Sequence, residues 1–582
     1  MIPDYDVVVI GLGHAGCEAA LAASRLGVKV LATTLSMDAV ARMSCNPSIG
    51  GPGKSQLVRE IDALGGEMGA AADDTFIHVR MLNSAKGPAV RAIRTQIDRL
   101  RYSERMKSAL LSQSGLDIIE GAVESICLEG GRVVGVVAGG ASISCSACII
   151  ATGTYLEGKT FIGDESLRGG PEGLPASSLS PSLDEMGIRT MRFKTGTSPR
   201  VQASSLDYER MEAQRGDELL YGFSSIRRPS PRAQEVCWIT YTNAATHSII
   251  GSSIDRAPIF SGLIKGVGPR YCPSIEAKVV RFAGKPRHQL FIEPIVRGGS
   301  EMYIAGLATS LPKDVQEDML RSIPGLEEAK ISKYGYAIEY DCVDPSQLDH
   351  KLEFRHIKGL YSAGQSNGSS GYEEAAAQGL IAGANAALSL KGQPPLKLGR
   401  DDAYIGVLID DLVMKGTDEP YRMMTARAEY RLSLRQDNAD FRLTPKAIGA
   451  GLASGERKRI FELKLGMKEE ARGNGAARGT QRQPQEDEWL SLCVEENIAL
   501  DGAYAGYIEK ERRMAAAFRR MEDKVIPAGS EFSKMHRLSA EAREKLSGRR
   551  PESVGEASRI PGISPADIAA MIIHLREDGS IG

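Results

Sequence analysis

Two cysteines stand where a core position is not expected. Cys45 lies in Met43-Ser44-Cys45-Asn46-Pro47-Ser48-Ile49-Gly50-Gly51-Pro52-Gly53-Lys54-Ser55, and Cys272 in Gly266-Val267-Gly268-Pro269-Arg270-Tyr271-Cys272-Pro273-Ser274. A thiol in a Gly/Pro loop is accessible, and cations beside Cys272 favour the thiolate, the nucleophilic form. Cys145-x-x-Cys148 has the spacing of a redox or metal pair. It sits in the apolar run Ile143 to Ala151 with no second pair nearby, so both thiols are read as buried and structural. Lys86, Lys194 and Arg270 are candidate anion ligands, with surface salt bridges as the alternative for each. His288, Glu293 and Glu301 fall in strand-like surroundings and read as structural.

A second chemical pattern is Gly11-Leu12-Gly13-His14-Ala15-Gly16. Gly11 permits a tight turn, Gly13 lets a pyrophosphate reach the backbone, and Gly16 lets helix and strand pack closely. The elements that must position this loop are in place: the β-branched run Asp6 to Ile10 before it, an Ala-rich helix from Cys17 closed by Gly27, and a second strand over Val28 to Thr33. The acid that usually holds a ribose at the end of the second strand is missing. Either Asp38 reaches back, or Thr33, Thr34 and Ser36 serve instead. Gly50 to Ser55 imitates a triphosphate loop, but Ser48 stands where that loop needs glycine and no strand is expected before it. It reads as a glycine-rich loop entering an amphipathic helix beside a cofactor.

The chain has 582 residues, 42% hydrophobic and 25% charged, so several domains with sizeable cores are expected. Net charge is −2, which confines any nucleic-acid binding to a local patch. Nine scattered cysteines argue against a disulfide framework and for a cytoplasmic protein. No apolar run is long enough for a membrane span, and Met1 to Asp4 lead into a strand without an export signal.

Gly121 to Ala138 reads as a hairpin turning at Gly130-Gly131. Ser142 to Thr152 is a strand closing on Ala151-Thr152-Gly153, and Gly359 to Gln365 is a strand and tight turn. A helix beginning at Glu373 presents a second N-terminus to the same ligand. The fold class expected is α/β: a Rossmann-type two-dinucleotide-binding flavoprotein with an inserted α/β domain and a C-terminal all-α domain. The domains are 1–155 with 340–392, the insertion 156–339, and 393–582. Two basic stretches, Arg91 to Lys107 and Tyr421 to Arg435, read as helices. Gly473 to Glu488 reads as a polar mobile loop, Tyr507 to Lys524 as a charged helix, and Ser539 to Arg576 as short helices.

Longer stretches carry a family resemblance. CNPSIGGPGKSQLVREIDALGG, NSAKGPAVRAIRTQIDR, FKTGTSPR, GVGPRYCPSIEAKVVRF, GYAIEYD, AGQSNGSSGYEEAAAQGL, EPYRMMTARAEYRLSLRQDNADFRLT and GEASRIPGISPADI together resemble the glucose-inhibited division protein A family. This is the flavoprotein subunit of the tRNA uridine 5-carboxymethylaminomethyl modification complex. The resemblance runs from about Tyr5 to Leu575. It implies an FAD enzyme reduced by NADH, which uses methylenetetrahydrofolate to modify carbon 5 of the wobble uridine. It also implies a homodimer joined to a GTPase dimer as a two-plus-two heterotetramer, with tRNA and GTPase meeting the C-terminal helices.

The resemblance further implies FAD contacts at Gly11, Leu12, Gly13, His14, Ala15, Gly16, Val123, Ser180, Gly364 and Gln365. It assigns nicotinamide-dinucleotide contacts to Gly268, Pro269, Arg270, Tyr271, Pro273, Ser274, Glu276, Lys278, Arg281 and Phe282, and catalysis to Cys45 and Cys272. No metal is implied. Thiolate addition at carbon 6 of uridine would make carbon 5 nucleophilic; which cysteine does this stays open. Pro52 stands where Ile is common, Ser198 replaces a Pro, and Gly449 to Ala505 is shortened. Two other readings are a folate-dependent tRNA methyltransferase flavoprotein, which resembles a shorter chain without residues 393–582, and a flavin-bound scaffold for the GTPase without catalysis.

Overall fold

The structure is a computed structural model that describes residues 3–218, 222–229, 232–270, 273–471, 473 and 484–577. β1 (Tyr5–Ile10) is followed by α1 (His14–Arg25) and β2 (Val30–Thr34), and the two strands pair in parallel. Val7, Val8 and Val9 are fully buried, as a central parallel strand requires. β3 (Leu116–Glu120), β4 (Val123–Glu129), β5 (Arg132–Ala138), β6 (Ala141–Ile150) and β7 (Leu360–Ser362) complete a seven-stranded sheet. Its order is β3-β2-β1-β6-β5-β4, with β7 parallel to the end of β6. The β4–β5 hairpin turns at Gly130 and Gly131, both at positive φ. Cys145 and Cys148 on β6 are buried as expected, and burial pushes the Cys145 thiol up to about 12.

α2 (Lys54–Ala63) leaves the loop after Gly53, and α3 (Tyr372–Leu390) follows β7. Every residue of α2 from Ser55 to Ala63 is buried. The amphipathic helix expected there is therefore buried all round, because Ala439–Ala450 packs on it. A three-residue strand, Ser48–Gly50, does precede it. It is the edge of a small antiparallel sheet with Ala92–Ile97 and Phe76–Leu82, too short to register as a strand in the sequence.

The insertion is a mixture of helices and two antiparallel sheets. One holds Glu165–Arg168, Lys159–Ile162, Tyr336–Val343 and Thr190–Thr197 in that order. The boundary expected at residue 339 falls inside its strand Tyr336–Val343, so the chain rejoins the parallel sheet only at β7. The other sheet has six strands and its own core, including Leu290, Ile292, Ile304 and Met319.

After Ser362 no strand is present among the described residues. Helices Ala505–Glu522, Ala540–Arg549, Val554–Arg559 and Pro565–Glu577 match the expected helical tail. Of the expected mobile loop, Pro484 to Glu488 begin the helix Pro484–Ala503, Gly473 is a turn, and the remainder lies outside the described residues. The C-terminal helices share the core of the parallel sheet: Met571 and Leu575 belong to the same apolar cluster as Val9.

Two basic segments differ from expectation. Arg91 to Lys107 is not one helix, because Ala92–Ile97 pairs with Phe76–Leu82 and the helix begins at Arg99. Tyr421 to Arg435 is turns with one 3-10 segment. Several of its backbone N–H groups are taken by other elements: Met423 donates to Glu374, and Leu432 and Ser433 to Glu511. Among the described residues, no helix is long and apolar enough to cross a membrane.

Candidate active site

A cavity of about 400 Å³ opens over the ends of β1 and β6, where a ligand of an open α/β sheet is expected. Gly11 (φ 98°) turns the chain, and a Cβ there would lie 2.6 Å from the carbonyl oxygen of Ala151. A Cβ on Gly16 would overlap the Gly11 carbonyl, so only glycine lets α1 pack this close. A Cβ on Gly13 would meet nothing and would point into open space. The first helical bond of α1 runs from Cys17 N–H to the Gly13 carbonyl, so the N–H groups of His14, Ala15 and Gly16 have no partner within the helix. No acid sits in that first turn. The loop thus offers donors, positive helix-end potential and room for a diphosphate.

Two buried polar atoms on this wall, His14 Nε2 and Thr152 Oγ1, have no protein partner. Burial pushes His14 down to about 3, so the ring is neutral. The Asp38 carboxylate is 86% exposed and faces Lys107, whereas Thr33 and Thr34 line the cavity. The N-terminus of α3 also faces the cavity, but it is complemented from within. Glu373 accepts from Gly50 N–H, and Glu374 accepts from Lys54 and Met423 N–H. Lys54 is committed to this pair and does not act as a triphosphate-loop lysine.

Cys45 lines the same cavity. Its N–H donates to the Tyr372 hydroxyl at 2.8 Å, and its carbonyl accepts from Thr197 Oγ1 at 3.0 Å. The thiol faces the Gly196 carbonyl at 3.6 Å, and Asn46 Nδ2 lies 3.8 Å from Sγ, a donor able to support a thiolate. Tyr372 also accepts from Asn46 N–H, and its ring stacks on His14 at 4.4 Å between centroids. The thiol loop and the glycine loop are therefore tied together through one aromatic side chain. Sequence reading missed Tyr372 and Thr197, although one follows the Gly368–Gly371 loop and the other lies in the KTGT run.

Of the other expected contacts, Leu12, Ala15, Val123 and Gln365 line the cavity, and Gly364 (φ 84°) packs against Ala15. Ser180 does not line it; its hydroxyl donates to Asp341 at 2.8 Å. Gly268, Pro269, Arg270, Pro273, Ser274 and Arg281 line a second groove of about 590 Å³, which meets the first at Pro269. Lys194 lines that groove too, whereas Lys86 is exposed and lines neither cavity. Glu276 is buried and accepts from Ser310, Lys278 donates to Gly306, and Phe282 is exposed; none of these three lines the groove. Tyr271 and Cys272 lie outside the described residues. Glu293 pairs with Arg94, Glu301 accepts from Ser332, and His288 packs on His247, all structural roles. Among the described residues no cluster suits a metal ion.

The comparisons agree with this geometry. Residues 6–394 match the family model for glucose inhibited division protein A, and residues 514–581 match that for the tRNA modifying enzyme MnmG/GidA C-terminal helical bundle. The chain belongs to the glucose inhibited division protein A family. The tRNA uridine 5-carboxymethylaminomethyl modification enzyme MnmG of Caldicellulosiruptor saccharolyticus is 50% identical, covering 99% of this chain and 98% of the relative. The enzyme of the same name from Heliobacterium modesticaldum is 49% identical over 98% and 97%. The Aquifex aeolicus GidA crystal structure (form II) superposes with a TM-score of 0.91 at 42% identity, covering 99% of each chain. The Aquifex aeolicus match therefore spans both the parallel-sheet region and the helical tail of this chain.

Proposed function

We propose that this protein is an FAD-dependent tRNA-modifying enzyme. In this reading it adds the aminomethyl or carboxymethylaminomethyl group to carbon 5 of the wobble uridine. Methylenetetrahydrofolate is the one-carbon donor, NADH the reductant, and a GTPase dimer the partner of a homodimer. The carrying observation is that the glycine loop and the Cys45 thiol face one cavity. The full-length match to relatives of that activity supports the substrate.

The residues present fit FAD. Gly11 to Gly16 would hold the diphosphate, Thr33 and Thr34 the ribose, and Gln365 with the N-terminal turn of α3 the far end. When bound, the flavin supplies redox chemistry on the one-carbon unit. The chain does the rest. Asn46 and the Gly196 carbonyl fix the Cys45 thiol at the cavity wall, Tyr372 and Thr197 hold its backbone, and the surrounding tyrosines limit water. In this reading a thiolate adds to carbon 6 of the uridine, the electron pair moves to the ring carbonyl, and carbon 5 becomes the nucleophile. The second groove, with Lys194, Arg270 and Arg281, has the cationic lining that a nicotinamide dinucleotide needs, which supports NADH there. Residues 393–582 disfavour the shorter methyltransferase reading.

The test is an anaerobic absorbance spectrum before and after NADH, followed by analysis of tRNA from a strain lacking the protein. A flavin band that NADH bleaches, with loss of the wobble modification, is expected. A protein that takes up no FAD would refute the reading.

A further inference from the structure

Beside the cavity, and touching it through Arg42, lies a charge imbalance that the cofactor loops do not explain. Glu172 stands alone among four cations: Arg99 at 2.9 Å, Arg42 at 3.1 Å, Arg200 at 3.2 Å and Lys333 at 3.3 Å. Among the described residues, no second carboxylate reaches any of the four. The group therefore holds an excess of three positive charges while mostly shielded from water; only Lys333 has as much as 32% of its side chain exposed. The cations hold the Glu172 carboxyl down at about 2 against its burial. Glu172 itself has φ 60°, a left-handed conformation that a non-glycine residue adopts at a cost, on a turn between Gly170 and Leu174.

The cluster is joined to the thiol loop. Arg200 Nη2 donates to the Ser44 carbonyl at 3.4 Å, one residue before Cys45, and Arg42 lines the cavity. Arg42 and Arg200 are thereby committed to loop backbone as well as to Glu172. Arg99 uses only Nη1, and Lys333 binds only Glu172. Their remaining donors are available to an incoming anion. Two aromatic rings, Tyr155 and Tyr336, line the cavity between the cluster and Cys45.

A cationic cluster, two aromatic faces and a thiol in sequence match one nucleotide: phosphate, base, and the atom to be attacked. We propose that Arg99 and Lys333, gated by Glu172, form a subsite for the backbone phosphate next to the nucleotide whose base enters the cavity. The inference rests on the tRNA-modifying function proposed above. A phosphate docked there fixes the strand while Tyr155 and Tyr336 flank the base, so the reacting carbon is presented to the thiol by its own backbone.

The test is binding of unmodified tRNA to the FAD-loaded protein across 50 to 200 mM salt, for wild type, Arg99→Ala, Lys333→Ala and Glu172→Gln. Each Ala variant is expected to bind about three- to tenfold more weakly, with the log-log salt slope reduced by about one unit for each phosphate interaction removed. Glu172→Gln is expected to bind more tightly with a steeper slope, which a purely structural role would not produce. Flavin absorbance should be unchanged in the two Ala variants. Unchanged affinity and slope in both Ala variants would overturn the subsite while leaving the function intact. Flavin loss from either would overturn it by assigning the cluster to the cofactor. A wild-type protein that binds no tRNA would refute the functional reading and the subsite with it.

Discussion

The Tyr372 hydroxyl accepts two backbone N–H groups, those of Cys45 and Asn46, at the edge of the cavity. Tyr372→Phe keeps the ring against His14 and leaves both donors unsatisfied, at a cost of about 1–3 kcal/mol each where they stay dry. The loop then loosens. The expected outcome is slower modification with flavin content unchanged, measured beside Cys45→Ala, which should abolish modification and also keep its flavin. A Tyr372→Phe enzyme of full activity would show that the hydroxyl is dispensable. The glycines of the nucleotide loop separate two roles by the same logic. Gly13 has φ −71° and open space, so Gly13→Ala should leave apoprotein stability within about 0.5 kcal/mol of wild type. It should still weaken FAD, because the new methyl would enter the space proposed for the diphosphate. Gly16→Ala should lower the Tm of the apoprotein itself. Titration with FAD and thermal melts of both variants distinguish these outcomes.

At the scale of elements, the legible parts were those whose signals are local. The glycine loop sits between a β-branched run and an Ala-rich helix, and the β4–β5 turn is marked by two glycines. What stayed hidden depended on distant partners. The strand Ser48–Gly50 exists because Ala92–Ile97 offers it an edge. The Tyr421–Arg435 stretch has helical composition, yet Arg435 is wholly buried against Asp437 and Asp501 and the backbone is satisfied from elsewhere, so tertiary contacts override propensity. Cys45, Gly11 to Ala15 and Gln365 were legible from their motifs, and they line one cavity. Glu172 and its four cations were not, since they come from five separate segments with no shared pattern. The α1–α3 contact is similarly hidden: Gly379 and Gly383 lie directly on the backbone carbonyls of Ala15 and Ala19. Gly383→Ala should therefore cost about 1–3 kcal/mol and lower the Tm, as an overpacked helix interface does. A neutral result would mean that the two helices slide freely.

On the scale of the molecule, the helical tail is fastened to the nucleotide domain by a buried charge network. His350 lies between Asp410 (3.0 Å) and Glu556 (3.3 Å), and Arg559 reaches Asp410 from the tail at 2.9 Å and also pairs with Glu522. Burial alone would lower the His350 pKa. The hydrogen bond to Asp410 and the charges of Glu556 and Asp410 outweigh it, and the pKa stands above the usual 6.5, with Arg559 opposing. The protonated ring is therefore favoured in the folded state. Its contribution is fully present below about pH 6.5 and is lost as pH rises through the folded-state value. The Asp410 carboxyl, held low, contributes in the opposite sense and is lost only in strong acid. Melting curves between pH 6 and 9 should show a decline in stability that His350→Gln flattens. An equally steep decline in that variant would place the pH dependence elsewhere.

The split of the nucleotide domain sets an order of events during synthesis. β1, α1 and β2 leave the ribosome first, but α3, which covers α1, is roughly 350 residues behind. At about 5–20 residues per second, ~20–70 s pass before it arrives. Throughout that interval the Ala-rich face of α1 has no native cover, nor has one edge of β6 once it is made, whereas the insertion has its own core and can close on itself. The nascent chain should thus finish its middle before its beginning, and its N-terminal third should be the part that depends on chaperones.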